Sequence, residues 1–451
     1  MSPLFDMAML WDRLSGLGHP DYRKLGELVG GPSAALTRIF HAPRVGAPAF
    51  SRLSAADENG GERFASRVAF ERLKPAASQR SGLSAVRAGR VIPGLVLSAL
   101  VAASAMGAKP PMQTGSKVLR LSAPAAPYQD GRPTAAYRLS ALDQGVVLRH
   151  GDGPGQCDYL GARDVWVFED AGTYYMHYDA AGPTAWLAAL ATSKDLVHWE
   201  KKGPVLRLGK PGEDDSKSAS YGVTFKEGKT WHMYYLGTPN VSPAPDLIPG
   251  FPYQTMKAKS KSPSGPWEKQ NEVVPFRCQP GTYYSVTASP GNIVKHRGEY
   301  LMFFSAAASP PIKRTIGIAR TKNLDSAWTL DPQPIVSPEE QIENTSLYYE
   351  PSSKTWFLFT NHIGVDNRGE YTDAVWVYWS RDLNHWNARN KAIVLDQKNC
   401  TWSRDCIGLP SVVKCGKRLA VLYDAPGGNG VSHMRRDVGL AWLDLPLGVP
   451  E

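Results

Sequence analysis

Several carboxylates of this sequence stand in loops, just before a predicted β-strand begins. They are Asp158, Asp164, Asp215, Glu343 and Asp405. Two carboxyl groups can carry out general acid–base catalysis together, because one donates a proton while the other accepts one. One of the two must then hold a raised pKa, which requires burial or a like-charged neighbour. These residues are the first candidates for a reactive site.

The segments around these carboxylates predict strands and turns. From about residue 135 onward, short runs of Val, Tyr, Trp and Phe are broken by Gly, Pro, Asn and Asp, without a helical period. The chain is therefore predicted to be all-β.

Two short patterns recur along this part of the chain. One is a turn with an aromatic strand, as in FEDAGTYYMHY (168–178) and FKEGKTWHMYY (225–235), and the other is a turn marked by tryptophan, as in TSKDLVHWEKKGPVL (192–206). Five copies, each about 60 residues long, suit four-stranded blades better than a β-sandwich. We predict a five-bladed β-propeller over residues 137–451, with a strand from 137–150 completing the last blade. The marker tryptophans are Trp199, Trp267, Trp328, Trp386 and Trp442.

The paired patterns G-x-YY and S-x-DL-xx-W resemble those of the five-bladed propeller glycosidases of glycoside hydrolase family 43 and of families 32, 62, 68 and 117. The resemblance covers about residues 150–447. It implies a hydrolase that cleaves glycosidic bonds, with catalytic carboxylates where the innermost strands of different blades begin.

The resemblance also implies roles for single residues. The family's base is an Asp ten residues before paired tyrosines, which is Asp164 here, although Val165 replaces the usual Pro. The family's second Asp falls near Gly222 and its acid Glu near Ala288, and neither residue can serve. The nearest alternatives to these two are Asp215 in the loop EDDSKSAS and Glu343 in QIENTSLYY.

Hydrolysis of a glycosidic bond needs an acid for the leaving oxygen and a carboxylate that activates water or attacks directly. We assign the catalytic roles to Asp164, Asp215 and Glu343, with Asp158 and Asp405 as substitutes. The alternative for each is structural, as a turn cap or a solvated loop charge. Sugars are bound by planar polar side chains with an aromatic ring beneath, and the candidates for this role are Arg163, His177, Asp179, His362, His433, Arg435 and Asp437.

The expected substrate is a plant or algal polysaccharide or oligosaccharide, cleaved from one end, with a pentoside such as an arabinofuranoside or xyloside favoured. Two other functions remain open: a propeller that binds sugar without cleaving it, and a glycoside phosphorylase. The near-neutral charge and the lack of a Lys/Arg cluster in the inner loops argue against the phosphorylase.

The composition restricts cofactors and partners. The formal net charge is +9, but no Lys/Arg run lies beside stacking aromatics, so no nucleic-acid partner is expected. No metal-ligand spacing is present, so no cofactor is expected beyond a calcium ion or water near His362 in the central channel. The cysteines form no CxxC pair; either Cys400 and Cys406 close the loop CTWSRDC or all are free thiols.

The N-terminal quarter of the chain carries a different signal. Arg87 and Arg90 precede an uncharged run at 91–108, in which Ala103-Ser104-Ala105 suits cleavage. Residues 83–108 are therefore interpreted as a signal peptide rather than a membrane-spanning helix, which predicts a secreted or periplasmic protein without stable membrane insertion after cleavage. Residues 1–82 are interpreted as a mis-annotated or disordered extension, and residues 109–136 as a Pro/Ala-rich linker.

Overall fold

The computed structural model describes residues 115–123 and 126–450, and their regular structure is β. Two short 3₁₀ turns in this range, Pro154–Gln156 and Pro338–Glu340, are the exceptions. The prediction of an all-β chain is confirmed. Within these ranges no helix has the length and apolar character to cross a bilayer. The predicted extension (1–82) and signal segment (83–108) lie outside the described residues.

The strands fall into five groups of four antiparallel neighbours, here called groups 1 to 5. Three strands come first: β1 (Leu119–Arg120), β2 (Tyr137–Arg138) and β3 (Leu142–Leu148). Group 1 contains β4 (Gly161–Asp170), β5 (Thr173–Ala181), β6 (Trp186–Ser193) and β7 (Trp199–Pro204). Group 2 contains β8 (Ser218–Glu227), β9 (Thr230–Thr238), β12 (Gln254–Ser260) and β13 (Glu268–Lys269), and the small hairpin β10 (Asn240–Val241) and β11 (Pro249–Gly250) lies between β9 and β12.

Groups 3 and 4 each use four consecutive strands. Group 3 contains β14 (Thr287–His296), β15 (Glu299–Ala308), β16 (Lys313–Thr321) and β17 (Thr329–Leu330). Group 4 contains β18 (Ile342–Glu350), β19 (Thr355–Asp366), β20 (Gly369–Ser380) and β21 (Lys391–Leu395). Group 5 contains β22 (Gly408–Cys415), β23 (Arg418–Ala425) and β24 (Asp437–Asp444), with β3 paired antiparallel to β24 as its fourth strand.

Each group packs against its neighbours through an apolar core, which is why its second strand is buried on both faces. Met176 and Tyr178 of group 1 share a core with Leu422 of group 5, and Phe303 of group 3 shares one with Trp376 of group 4. Similar cores join groups 1 and 2, groups 2 and 3, and groups 4 and 5. Burying aromatic and aliphatic side chains on both faces stabilises the groups only when they lie side by side.

Part of the predicted linker is bound to the last two groups. The Ser116 N–H donates to the Asp444 carbonyl at 2.7 Å, and the Val118 N–H donates to that of Gly448 at 2.8 Å. β2 pairs in parallel with β21. Between β1 and β2, Arg132 donates to Asp373 of β20 at 3.0 Å. These described residues are an integral part of the all-β body.

Two of the tryptophan-marked turns, those of groups 1 and 4, share the same geometry. In group 1, the Trp199 indole N–H donates to the Leu196 carbonyl at 2.8 Å, and in group 4 Trp386 donates to Leu383 at 2.9 Å. The Ser side chain that opens each of these two turns accepts a backbone N–H two or three residues later. The tryptophan therefore fixes the turn to the edge of its group.

Candidate functional site

The first strand of every group carries a β-bulge at the same place relative to its second strand. The residues before the bulges, with their second-strand partners, are Arg163 with Asp179, Ser220 with Leu236, Ser289 with Ser305, Glu343 with Asn361, and Gly408 with Asp424. The next residue has a positive φ in four groups, at these angles: Asp164 50°, Tyr221 44°, Asn344 57° and Leu409 56°. A bulge bends the strand and re-aims its side chains. Of the four, Asp164 alone is a carboxylate.

Hydroxyl groups of neighbouring groups hold the bulges in place. The Ser411 hydroxyl accepts the Val167 N–H at 2.8 Å, and the Ser346 hydroxyl accepts the Val412 N–H at 2.9 Å. A bulge leaves backbone groups out of the ladder, and a buried unpaired N–H costs about 1–3 kcal/mol. These bonds therefore stabilise the strained backbone and also tie adjacent groups together.

Asp164 is held through its backbone and through its side chain. Its N–H donates to Asp424 Oδ2 at 3.0 Å, and its Oδ1 accepts from Arg163 Nε at 3.1 Å. The side chain remains 15% exposed. Asp424 thus fixes the backbone of Asp164, Arg163 orients its carboxylate, and the carboxylate is still reachable from solvent, as a base or nucleophile must be.

Arg163 connects Asp164 to His433. Its Nη1 donates to His433 Nδ1 at 3.1 Å, and its guanidinium lies 5.3 Å from the centre of the Trp186 ring. Burial lowers the pKa of Arg163, but three surrounding carboxylates raise it more, so the group stays charged. His433 is exposed to solvent, and its Nδ1 accepts the arginine N–H.

Asp179 and Asp424 occupy equivalent places in the second strands of groups 1 and 5. Both are buried. Asp424 accepts from Arg436 Nη1 at 2.9 Å, and burial raises its pKa although Arg436 opposes the change. Asp179 Oδ1 has no hydrogen-bond partner among the described residues. Burial, followed by the charge of Asp164, raises the pKa of Asp179 well above its usual value.

Glu343 shares an arginine with a second glutamate. Arg314 of β16 contacts Glu343 through Nη1 and holds Glu370 of β20 through Nε and Nη2, the last at 3.1 Å. Glu343 keeps 18% of its exposure. Burial raises the pKa of Glu343, Arg314 lowers it, and the charges of Glu370 and Asp164 raise it, with a net upward shift.

Asp164 and Glu343 lie within range of each other's charge, although they come from groups 1 and 4. The charge of Asp164 contributes to the raised pKa of Glu343, and burial, followed by the charges of both carboxylates, raises the pKa of Tyr221. Burial also raises the pKa of Tyr253, to about 12, with Arg314 and Glu343 nearby. Five predicted residues therefore come together in one cluster: Arg163, Asp164, Asp179, Glu343 and His433.

Asp215 lies outside this cluster, in a structural triad. It is 1% exposed and accepts from the Tyr235 hydroxyl at 2.7 Å and from Lys269 at 2.5 Å. The same carboxylate, tyrosine and lysine arrangement recurs in groups 1 and 4, as Asp158–Tyr178–Lys201 and Glu340–Tyr378–Lys391. The repetition indicates that Asp215 and Asp158 join the loop before a group to that group's own strands.

Four other predicted ligands and the catalytic substitute Asp405 make none of the side-chain contacts that hold the cluster together among the described residues. His177 is fully buried against Phe168 and Trp267, and desolvation lowers its pKa to about 3. His362 is buried on Trp376, with its ring centre 3.9 Å away. The remaining three have these surroundings: Arg435 is exposed beside the buried Arg436, Asp437 binds His150 Nδ1 at 2.7 Å, and Asp405 binds Arg368 at 2.8 Å.

The predicted calcium ion near His362 finds no suitable donor set there. Arg132 Nη1 lies 3.0 Å from His362 Nδ1, and Asp373 Oδ1 lies 3.1 Å from the same atom. A guanidinium at this distance disfavours a cation. Among the described residues, no cluster of three or more His, Cys, Asp or Glu side chains suits a metal ion.

The cysteines are free thiols, so the alternative of a Cys400–Cys406 bridge does not apply. Cys406 Sγ lies 2.9 Å from Arg436 Nη2, and Cys400 Sγ lies 3.5 Å from the Tyr423 hydroxyl. Each of these two thiols thus packs against its own polar neighbour.

Some cluster residues were missed by sequence reasoning. Asp424 could have been found, because Tyr423-Asp424-Ala425 repeats Tyr178-Asp179-Ala180. The charged partners Arg314, Glu370 and Arg436 lie outside both recurring patterns, so no local signal marks them. A large open cavity of about 840 Å³ lies elsewhere, along 281–284 and 330–338, and contains none of the cluster residues.

The fold and the acidic cluster define a class of protein, and comparisons with known proteins agree with it. Residues 167–349 match the model of the glycosyl hydrolases family 32 N-terminal domain. This match confirms the predicted resemblance to propeller glycosidases and the prediction of an O-glycosyl hydrolase. No curated protein sequence matches the chain significantly.

Solved structures give the same fold at low sequence identity. One, a complex of BT0996 and RGII, has a TM-score of 0.53 at 16% identity, covering 68% of this chain and 93% of its own. Another, described as "Glycoside hydrolase", has a TM-score of 0.53 at 15% identity with the same coverage. The fold is that of the propeller glycosidases.

Proposed function

We propose that this hydrolase removes a neutral sugar, with a pentoside favoured, from the end of a plant or algal polysaccharide or oligosaccharide. Asp164 is the base or nucleophile, and Glu343 is the acid. The observation that carries the proposal is that these two carboxylates, held by Arg163 and Arg314 at the bulges of different groups, face one cluster in which both lie near the buried Tyr221.

The proposal includes five blades arranged as a ring. Apolar cores link each group to the next and link group 5 back to group 1. The pairing of β3 with β24 completes the last blade and holds both ends of the domain together. In such a ring the five bulges surround one axis, which is how Asp164 and Glu343 meet.

The two carboxylates suit opposite tasks. The raised pKa of Glu343 favours its protonated form, which can protonate the leaving oxygen. Asp164, oriented by Arg163 and by the Asp424 carboxylate at its N–H, activates water or attacks the sugar directly. When Glu343 releases its proton, Arg314 stabilises the resulting carboxylate.

The arginines of the cluster support a neutral substrate over phosphate. Contrary to the sequence expectation, Arg163, Arg314 and Arg436 do lie in one cluster. However, Arg163 donates to Asp164, Arg436 to Asp424, and Arg314 to both glutamates. Their charges are already neutralised by carboxylates, so little attraction remains for an anion. Turnover that requires phosphate would support the phosphorylase instead.

The proposal is tested with Glu343→Gln and Asp164→Asn on a natural glycoside and on an activated aryl glycoside. General acid catalysis contributes about 10²–10⁴-fold, and a leaving group that departs unprotonated needs it least. We expect Glu343→Gln to be slow on the natural substrate and much less impaired on the aryl glycoside. Asp164→Asn should be slow on both, because the attack on the sugar still needs a carboxylate that activates water or acts as the nucleophile.

Matched controls are Glu339→Gln and Asp170→Asn, which change carboxylates bound to Lys313 and Lys226 outside the cluster. Both should keep wild-type rates. Equal losses of Glu343→Gln on the two substrates would reject Glu343 as the acid. Sugar binding without turnover by the wild-type protein would favour the non-catalytic alternative.

A further inference from the structure

Glu343 contacts Arg314, which also binds Glu370, and neither recurring sequence pattern contains Arg314 or Glu370. Arg314 belongs to the third strand of group 3, and Glu370 belongs to the third strand of group 4. Group 3 is the group whose bulge region carries Ala288 in place of a carboxylate. The Arg314 side chain of group 3 nevertheless contacts Glu343, the proposed acid.

We infer that Arg314 and Glu370 are positioning residues that set the pH range in which Glu343 holds its proton, an inference that rests on the proposed role of Glu343 as the acid. Arg314 offers a fork of donors. Glu370 takes Nε and Nη2, and only Nη1 is left for Glu343.

The way in which Glu343 and Glu370 share the Arg314 guanidinium affects the pKa of Glu343. A lone arginine beside a carboxylate lowers its pKa by about 1–3 pH units, which would strip the acid of its proton. A second carboxylate bound to the same arginine offsets much of that charge. Glu370 therefore lets Glu343 stay protonated before proton transfer, while Nη1 remains in place to stabilise the anion afterwards.

Hydrogen bonds hold the strands that carry Arg314 and Glu370 in place. The Arg314 N–H donates to Gln341 Oε1 at 2.8 Å, two residues before Glu343. Glu370 lies in the hairpin of β19 and β20, which Asp130 binds at the Val365 N–H at 3.1 Å and which Arg132 binds at Asp373. All three side chains are largely buried, with exposures of 9% for Arg314, 15% for Glu370 and 18% for Glu343.

Other charged and titratable groups also face Glu343, and they must stay unchanged in the test. They come from β4, from β8 and from the segment just before β12: Arg163, Asp164, Tyr221 and Tyr253. His433 of the β23–β24 loop lies near Arg314 and Arg163. The variants therefore alter Arg314 and Glu370 alone.

The test compares Glu370→Gln with Arg314→Gln in the full chain, by the pH dependence of kcat/KM. An acid must be protonated, so activity falls as pH rises through its pKa. Glu370→Gln removes a negative neighbour and should move this alkaline limb to lower pH by about one unit. Arg314→Gln removes the positive neighbour and should move it to higher pH by a similar amount.

Matched controls come from the other end of the same strand. Arg320 of β16 holds Asp331 through two bonds, at 2.7 and 2.8 Å, outside the cluster. Arg320→Gln and Asp331→Asn should leave the limb where it is. If Arg314→Gln fails to fold, Arg314→Lys keeps the charge without the fork and should leave the limb closer to the wild type than Glu370→Gln does.

A second readout does not depend on turnover. The side-chain carboxyl carbon of Glu343, labelled with ¹³C and assigned by its loss in Glu343→Gln, is titrated by NMR. Opposite displacements of its midpoint in the two variants support the positioning role. Unmoved midpoints overturn it, even in an active enzyme. If no glycoside is turned over but the midpoints move as expected, the proposed function fails and the electrostatic coupling stands.

Discussion

At the scale of single residues, burial is the largest cause of the raised pKa values of Asp179, Asp424 and Glu343. Asp179 has one carboxylate oxygen without a partner among the described residues and a pKa well above its usual value, because burial penalises the charge. The native state therefore binds a proton that the unfolded chain releases above about pH 4. Stability from this proton is fully present below that pH and is lost as pH rises through the native pKa.

We therefore expect Asp179→Asn to flatten the pH dependence of the free energy of unfolding. Asparagine keeps the shape and cannot titrate, so the decline in stability above about pH 4 should be shallower than in the wild type. Urea unfolding at a series of pH values measures it. Asp405→Asn, which changes a half-exposed carboxylate bound to Arg368, is the control and should keep the wild-type slope. An identical slope in Asp179→Asn would mean that Asp179 is charged in the native state.

Single residues also show how much of the site could be predicted from the sequence. Asp164 follows from its spacing to Tyr174, and Glu343 from its place at the entry to an aromatic strand, where the structure puts it at the second residue of β18. Asp215 satisfied the same reasoning, yet its partners Tyr235 and Lys269 lie on other strands of group 2. A carboxylate's task depends on which cation it meets, and local sequence does not encode that.

At the scale of elements, the carboxylate, tyrosine and lysine triads connect each of these loops to its group. Asp215→Ala should therefore cost about 3–5 kcal/mol of unfolding free energy, because it leaves the Lys269 charge and the Tyr235 hydroxyl without their partner. Activity per folded molecule should stay at the wild-type level. Asp214→Ala is the neighbouring control, since Asp214 is more exposed and binds Arg277. Lost turnover without lost stability in Asp215→Ala would return Asp215 to the catalytic site.

The marker tryptophans belong to the same scale. Trp328 is 5% exposed and Trp386 is 9% exposed, each in a core between groups. We expect Trp328→Ala and Trp386→Ala to cost about 3–5 kcal/mol each, as for other large core aromatics. Thermal unfolding measures the loss, and Trp356→Ala, at a partly buried position, should cost less. Lower activity at an unchanged Tm would contradict a structural role.

Sequence repeats predicted the elements well because each repeat marks the same turn in its group. The tryptophan turns follow directly from S-x-DL-xx-W, since the Ser, Asp and Trp side chains bond within the turn itself. The bulges did not follow, because they are stabilised from neighbouring groups, as Ser411 stabilises the strand of Val167. Local bonds are visible in a sequence, and bonds between groups are not.

At the scale of the whole molecule, the residues before β3 are predicted to contribute to stability. A chain that begins at Lys109 keeps the described contacts of Ser116, Val118 and Arg132, and should unfold at the wild-type Tm. A chain that begins at Ser140 loses β1, β2 and the Arg132 bonds, and should unfold at a lower Tm. Calorimetry compares the two. Equal Tm values would show that 109–139 adds nothing, and an insoluble Lys109 chain would contradict the interpretation of 1–108 as dispensable.

The proposed export signal is tested separately from the fold. If residues 83–108 direct secretion, the exported protein should begin a few residues after Ala105, because a small-x-small sequence precedes the cleavage point. N-terminal sequencing of the secreted or periplasmic product measures this. A product that keeps residue 91 at its start, or that stays in the membrane fraction, would contradict cleavage.

The pairing of β3 with β24 joins two strands that are synthesised at very different times. The Trp442 indole N–H donates to Gln144 Oε1, a residue 298 positions earlier in the chain. At a translation rate of about 5–20 residues per second, β3 leaves the ribosome about 15–60 seconds before its partner exists. During that interval it is an unpaired edge, which other strands could join. Asp143 and Gly145 interrupt its apolar residues, a composition that discourages such encounters. In the folded protein, Asp143 accepts a hydrogen bond from the Tyr423 hydroxyl at 2.5 Å. The residue that discourages aggregation of the unpaired β3 therefore also binds β3 to group 5.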